Sequence, residues 1–311
     1  MRRPKCANVE TRIVVDGTAS RLARLRSAPS RYNSPRTCDL SATKGPKMAI
    51  VDIHAHVYPQ KISEKAVQAT GNFYNVEMSG NGAPEYLAEV NRTTPITHTV
   101  ICSVATTPKQ VASINSFIAQ SCADNPTLIG MMAMQQDCED PEAAIEEGIA
   151  LGLRGIKIHP DIQRVNLDDE RLMRVYEIAE RKGLPLIIHT GDYRYDYSHP
   201  RRMKRVLHEF PNLVVDAAHF GGWSIYDLAT EFLEDERCFV DTSSAMMYLG
   251  KRRVRELIKL YGVDRVMFGS DFPMWSPQKE FAFLESLELP AADFEKITWR
   301  NAERFLNMSI D

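Results

Sequence analysis

"VDIHAHVYP", Val51–Pro59, ends a β-branched apolar run in two histidines, His54 and His56, one residue apart. Residues i and i+2 of a strand face the same side, roughly 6.6 Å apart along it. Two imidazoles so spaced can converge on one metal ion. The pair alone is a weak signal, because surface and packing histidines occur at the same spacing. It decides the fold only if further short buried strands follow and carry more ligands at the same end.

Such strands do follow. Apolar β-branched runs stand at 49–57, 97–104, 127–134, 154–159, 184–190, 213–220, 238–244 and 264–272, giving eight strand candidates. Amphipathic stretches separate most of them. "DDERLMRVYEIAERKGLP" puts Leu172, Val175, Tyr176 and Ala179 on one face, with Asp168 or Asp169 to cap it and Gly183 and Pro185 to end it. Continuous apolar strands imply burial on both faces, as in a parallel sheet with crossover helices. Eight such repeats in about 260 residues is the count of a (β/α)8 TIM barrel, the expected fold of this α/β chain. A doubly wound open sheet is the alternative, but no GxGxxG supports it.

Barrel active sites sit at the C-terminal ends of the strands. Five of the eight histidines, His54, His56, His159, His189 and His219, fall at predicted strand ends. Lys157 shares the fourth strand with His159, and Asp271 ends the eighth. His98 begins a strand, and His199 and His208 lie on a loop or helix, so these three read as ordinary structural or surface residues. Three imidazoles with one carboxylate suit zinc or a similar divalent ion. Such an ion lowers the pKa of bound water towards ~7 and polarises a carbonyl oxygen.

The segments "DIHAHVYP", "GIKIHP", "IIHTG", "HFGG" and "FGSDFP", in that order, resemble the amidohydrolase superfamily, and within it the amidohydrolase-2 branch. That branch includes lactonases, other metal-dependent hydrolases, decarboxylases and hydratases. The resemblance runs from residue 49 to about 307. It implies a distorted barrel with a mononuclear centre, in which His54, His56 and His189 bind the metal and Asp271 closes the site. Asp271 would also take the proton of the attacking water, and His219 would hydrogen-bond that water or polarise the substrate. Zinc is the expected ion and manganese the alternative. Binuclear members of the superfamily carry a carbamylated lysine on strand four, where Lys157 stands. "GIKIHP" resembles the mononuclear branch instead, so Lys157 reads as structural or as a partner for a substrate carboxylate. His159 reads as polar support or as packing against Pro160.

The loop "GDYRYDYSHPRR", Gly191–Arg202, follows His189 and offers Tyr193 and Arg194 for the substrate. Arginine suits bidentate carboxylate recognition, and tyrosine offers a flat apolar face with a hydroxyl. A solvated loop is the plainer reading. Trp275, in "DFPMW", lines a pocket or packs under a loop, and Tyr58 is a similar case beside the HxH. "ITWRNAERFLNM" puts Trp299, Ala302 and Phe305 on one helical face, which the resemblance implies packs on the barrel.

The 311 residues are 44% hydrophobic, enough for a sizeable core. The formal charge of -3 gives no reason to expect nucleic acid. Charge is uneven, with 11 Lys/Arg against 3 Asp/Glu in residues 1–47. That segment is Arg- and Ser-rich without an apolar h-region, so it is not a secretory signal. It is expected to be a disordered extension, either a transit peptide or a translated stretch upstream of Met48, with the catalytic domain spanning 48–311. The six cysteines form no CxxC pair and read as reduced thiols of a cytoplasmic protein, or an organellar one if residues 1–47 are a transit peptide. No apolar stretch approaches the ~18 residues of a membrane span.

The expected function is a metal-dependent hydrolase that acts on a small carboxylated lactone, amide or cyclic compound through a metal-activated water. The alternative is a non-oxidative decarboxylase of the aminocarboxymuconate semialdehyde decarboxylase type. A metal-stabilised binding protein is the third reading, opposed by the full ligand set. A homodimer is expected from the resemblance.

Overall fold

A computed structural model describes residues 48–311. The expectations for residues 1–47 lie outside the described residues. The strands are β1 (Val51–His56), β2 (His98–Cys102), β3 (Leu128–Gly130), β4 (Met132–Ala133), β5 (Ile156–Ile158), β6 (Leu186–Ile188), β7 (Val215–Ala217), β8 (Val240–Asp241) and β9 (Val266–Met267). β3 and β4 are one strand interrupted at Met131, whose N–H still bonds the Ile101 carbonyl. Eight strands therefore run in parallel, each adjacent to the next. An isolated bridge joins Asp216 to Phe239, and Ile53 N–H bonds Phe268 O at 2.9 Å, so the sheet closes into a barrel.

The helices are α1 (Gln60–Tyr74), α2 (Pro84–Asn91), α3 (Val111–Asp124), α4 (Pro141–Ala150), α5 (Pro160–Gln163), α6 (Glu170–Lys182), α7 (Pro200–Glu209), α8 (Tyr226–Leu233), α9 (Met246–Tyr261), α10 (Pro277–Glu285), α11 (Ala291–Glu295) and α12 (Asn301–Leu306). α6 begins and ends as its sequence dictates. Asp169 accepts the Arg171 N–H, and Gly183 takes the left-handed conformation at φ 66°.

Side-chain alternation sorts the core into two layers. Ile156, Ile158, Leu186, Ile188, Val215 and Ala217 face the helices in the outer layer. Between them Lys157, Ile187 and Asp216 have the opposite parity, towards the barrel axis. Val51, Ile53, Val100, Ile129, Met131, Ile187 and Met267 fill the interior, Ala302, Phe305 and Leu306 of α12 belong to the same cluster, and the partly buried Trp299 packs against it. This is the face that "ITWRNAERFLNM" predicts, although residues 296–300 form a π-helical turn before α12. None of the described helices is long and apolar enough to cross a membrane. Cys102, Cys122, Cys138 and Cys238 are free thiols.

Candidate active site

β1 delivers the first candidate ligands by breaking its own alternation. Its register against β2 slips between Asp52 and Ala55. Val51 and Ile53 belong to the interior cluster, whereas Ala55 and Val57 belong to the outer one. The inward parity therefore changes after Ile53, and both His54 and His56 turn to the axis. Bulges commonly re-aim side chains beside active sites in this way.

The two ring nitrogens His54 Nε2 and His56 Nε2 lie 3.2 Å apart. Asp271 Oδ1 lies 3.5 Å from the second and 3.8 Å from the first. Three donor atoms thus converge at one point. Lys157 Nζ is 2.7 Å from the same His54 nitrogen and so faces the same electron-rich position. Burial lowers the His54 imidazole to about 4, with the Lys157 charge as the next cause, and burial holds His56 well below the usual histidine range. Both rings are therefore neutral at physiological pH, the form that ligates metal. The donor set and its spacing fit a divalent ion.

Asp241, at the end of β8, fixes His54. Its Oδ2 is 2.7 Å from His54 Nδ1, while its Oδ1 accepts from His219 N–H at 2.8 Å and from the Ser243 hydroxyl at 2.6 Å. Burial alone would raise this carboxyl, but His54 and the Ser243 donor hold it well below the ordinary aspartate value. Neighbouring Asp216 is driven the other way by burial and by the Asp241 charge. Asp52, one turn of the pleat before the histidines, accepts from Ser270 N–H at 2.9 Å and from the Ser270 hydroxyl at 2.5 Å. It thereby ties β1 to the segment that carries Asp271.

Asp271 and His219 both have left-handed backbone, at φ 57° and 64°. That conformation is uncommon for residues other than glycine and clusters at functional sites. Ser244 donates to Asp271 Oδ2 at 2.5 Å, and Trp275 Nε1 donates to Ser244 Oγ at 2.7 Å. Burial pushes the Asp271 carboxyl above its ordinary value.

His189 stands on another side of the cluster. Its Nδ1 is 3.0 Å from His219 Nε2, and its Nε2 lies 3.2 Å from Asp161 Oδ2 without hydrogen-bond alignment. Among the described residues no hydrogen bond joins it to His54 or His56, and neither of its ring nitrogens lies within 4 Å of an Asp271 carboxylate oxygen. His189 and His159 stack with ring centroids 4.0 Å apart. The loops behind these histidines touch directly. A side chain on Gly191, at φ +83°, would meet Gly222 backbone at 2.5 Å, which explains the glycines of "IIHTG" and "HFGG".

Above the cluster lies a cavity of about 410 Å³, lined among others by His56, His159, His189, His219 and Asp271 with Tyr58, Phe73, Tyr74, Trp223 and Met274. Four residues named for the substrate are absent from its wall. Tyr193 is 71% exposed. Arg194 is spent on Asp192, at 2.6 Å, and on the Phe73 carbonyl. Lys157 is buried against His54, and Trp275 supports Ser244. The sequence reading passed over Asp241, Ser243, Ser244, Asp52 and Tyr74. Cys102 lies beside His56, 3.7 Å from Nδ1, but burial pushes its thiol up to about 12, so it stays protonated.

The described barrel matches the amidohydrolase family model over residues 51–308. A 2-amino-3-carboxymuconate-6-semialdehyde decarboxylase from Dictyostelium discoideum is 27% identical over 239 residues, 63% of this chain. The match spans 66% of that relative's length, slightly under two thirds. Among solved structures, a 5-carboxyvanillate decarboxylase from Sphingomonas paucimobilis superposes with TM-score 0.64 at 18% identity, over 84% of this chain and 100% of its own. A dihydroxybenzoic acid decarboxylase from Polaromonas, with bound manganese, gives 0.63 at 14%, over 83% and 97%. The hydrolytic expectation is corrected here. These relatives are decarboxylases, and a motif set common to both chemistries could not separate them. Five motifs, the closed barrel and the family match agree that the chain belongs to the amidohydrolase family.

Proposed function

We propose that the chain is a divalent-metal-dependent decarboxylase, a lyase that releases CO2 from a small carboxylated aromatic or similarly unsaturated acid. One observation carries the reading. The His54, His56 and Asp271 donor atoms converge beside a cavity walled by Phe73, Tyr74, Met78, Trp223 and Met274. A carboxylate drawn against such a wall loses hydration, and departure as neutral CO2 relieves that cost. The Dictyostelium relative, a decarboxylase, supports the same chemistry.

His54, His56 and Asp271 would hold the ion, with His189 as a further ligand. Manganese, the ion in the Polaromonas structure, and zinc both suit this donor set. When bound, the ion supplies a fixed positive charge for the substrate carboxylate or an oxygen beside it. The protein's own groups do the rest. Asp241 keeps the His54 proton on Nδ1, so that the Nε2 lone pair faces Lys157, His56 and Asp271. The Asp271 carboxyl gives its proton to the carbon that loses the carboxylate. The carbon–carboxylate bond breaks, the electron pair stays on carbon as the new C–H bond, CO2 leaves, and Asp271 regains a proton from solvent. His219 lines the cavity and would hydrogen-bond a substrate oxygen. A homodimer belongs to the same proposal, on the resemblance alone.

The test is a panel of aromatic and unsaturated carboxylic acids incubated with metal-loaded protein. CO2 release with a product short of one carboxyl is expected. Hydrolysis of lactones or amides, with no CO2 from any acid, would overturn the proposal.

A further inference from the structure

We infer that Tyr74 is the hydrogen-bond donor that selects the substrate, and that the cavity takes a planar monocarboxylate with an uncharged oxygen substituent. This rests on the decarboxylase reading for the identity of the site, but it concerns binding rather than turnover.

Tyr74 is the last residue of α1 and lines the cavity. Its hydroxyl oxygen lies 2.7 Å from His159 Nε2. The His159 ring caps α5, and its Nδ1 accepts the Ile162 N–H at 3.4 Å. An imidazole that accepts at Nδ1 carries its proton on Nε2 and donates there. Tyr74 therefore accepts from His159, and its own hydrogen has no acceptor among the described residues. A buried donor without a partner is costly, and Tyr74 lines the cavity, where a bound ligand can supply the acceptor.

The ring is held on several sides, so the hydroxyl oxygen stays in place beside His159. Phe73 meets it edge-on at 4.8 Å between centroids and Trp223 at 4.9 Å. The Arg194 guanidinium lies over it at 5.3 Å, pinned by Asp192 and the Phe73 carbonyl. A fixed donor in an apolar wall discriminates strongly against a ligand that cannot satisfy it.

The wall also limits charge. It contains neither lysine nor arginine. One substrate carboxylate has a cationic partner at the His54, His56 and Asp271 cluster once an ion is bound. A second would be buried without one, which is unfavourable.

Equilibrium binding to the metal-loaded protein tests this with three probes: hydroxybenzoates, benzoate and benzenedicarboxylates, read by calorimetry. At least one hydroxybenzoate is expected to bind 10-fold or more tighter than benzoate, and the dicarboxylates 10-fold or more weaker than that hydroxybenzoate. Tyr74→Phe should remove the hydroxybenzoate advantage, changing benzoate by less than twofold, with an unchanged melting profile as the check on folding. Retention of the advantage in Tyr74→Phe, preference for a dicarboxylate, or binding of none of the three would overturn the inference. CO2 release is scored separately, so binding selectivity without turnover would sink the decarboxylase reading and leave the role of Tyr74 standing.

Discussion

Asp241 Oδ2 lies 2.7 Å from His54 Nδ1, and neither side chain is exposed to solvent. The carboxylate can only accept, so it sets the imidazole tautomer and points the Nε2 lone pair at His56 and Asp271. Such outer partners typically contribute 10–100-fold to metal affinity. Asp241→Asn keeps the shape but replaces a charged acceptor with an amide. Metal affinity, measured by competition with a chelator, is expected to fall ~10–100-fold. Unchanged affinity would mean that packing alone orients His54.

The proposed metal set makes a second prediction. Removing His54 takes away the central donor of the converging trio. His54→Ala should lose most of the roughly one equivalent of divalent ion expected per chain, by elemental analysis. The His189–His219 pair, with facing nitrogens 3.0 Å apart, supplies the contrary outcome. Two equivalents in the wild type, one of them surviving His54→Ala, would make that pair a separate cation site and end the mononuclear assignment.

Much of this is legible in the sequence. Each of the eight apolar runs contains a barrel strand, because burial on both faces leaves a strong pattern in the composition. His54, His56, His219 and Asp271 stood out because strand ends are countable positions. The bulge after Ile53 was not legible, since nothing in "VDIHAH" marks a change of parity. Asp241 and Ser243 were missed because "FVDTSS" reads as an ordinary strand end until the fold brings it against β1. Arg194 misled for the opposite reason: a loop arginine looks free until its partner, Asp192, two residues before it, is seen to hold it.

Glu280 gives a pH prediction away from the histidines. It is 1% exposed on α10, its Oε2 has no hydrogen-bond partner, and burial, with the charges of Asp52 and Asp271, raises it from 4.5 to about 8. The folded protein thus holds a proton that the unfolded chain releases near 4.5. This contribution favours folding below pH 4.5 and is lost as pH rises towards 8. Glu280→Gln fixes the neutral form. Its gain in melting temperature over the wild type should therefore be larger at pH 9 than at pH 5, by roughly 2 °C or more. An equal difference at both pH values would show that the carboxyl finds a partner or solvent.

Asp271 carries the last prediction. It ends the barrel with left-handed backbone, its N–H is bonded to the His54 carbonyl at 2.8 Å, and its carboxyl is held by Ser244, itself held by Trp275. The backbone link to His54 makes its placement independent of its charge. Asp271→Asn should therefore fold normally and keep most of the metal, while losing the proton that replaces CO2. Turnover is expected to fall ~10²–10⁴-fold, the usual scale for loss of a general acid or base. Running the wild type in D2O adds a positional readout. One deuteron should appear on the carbon that carried the carboxylate and none elsewhere on the skeleton. Near-normal turnover in Asp271→Asn, with the same deuteron placement, would remove Asp271 from proton delivery and leave His219, another polar residue on that wall, as the group to test next.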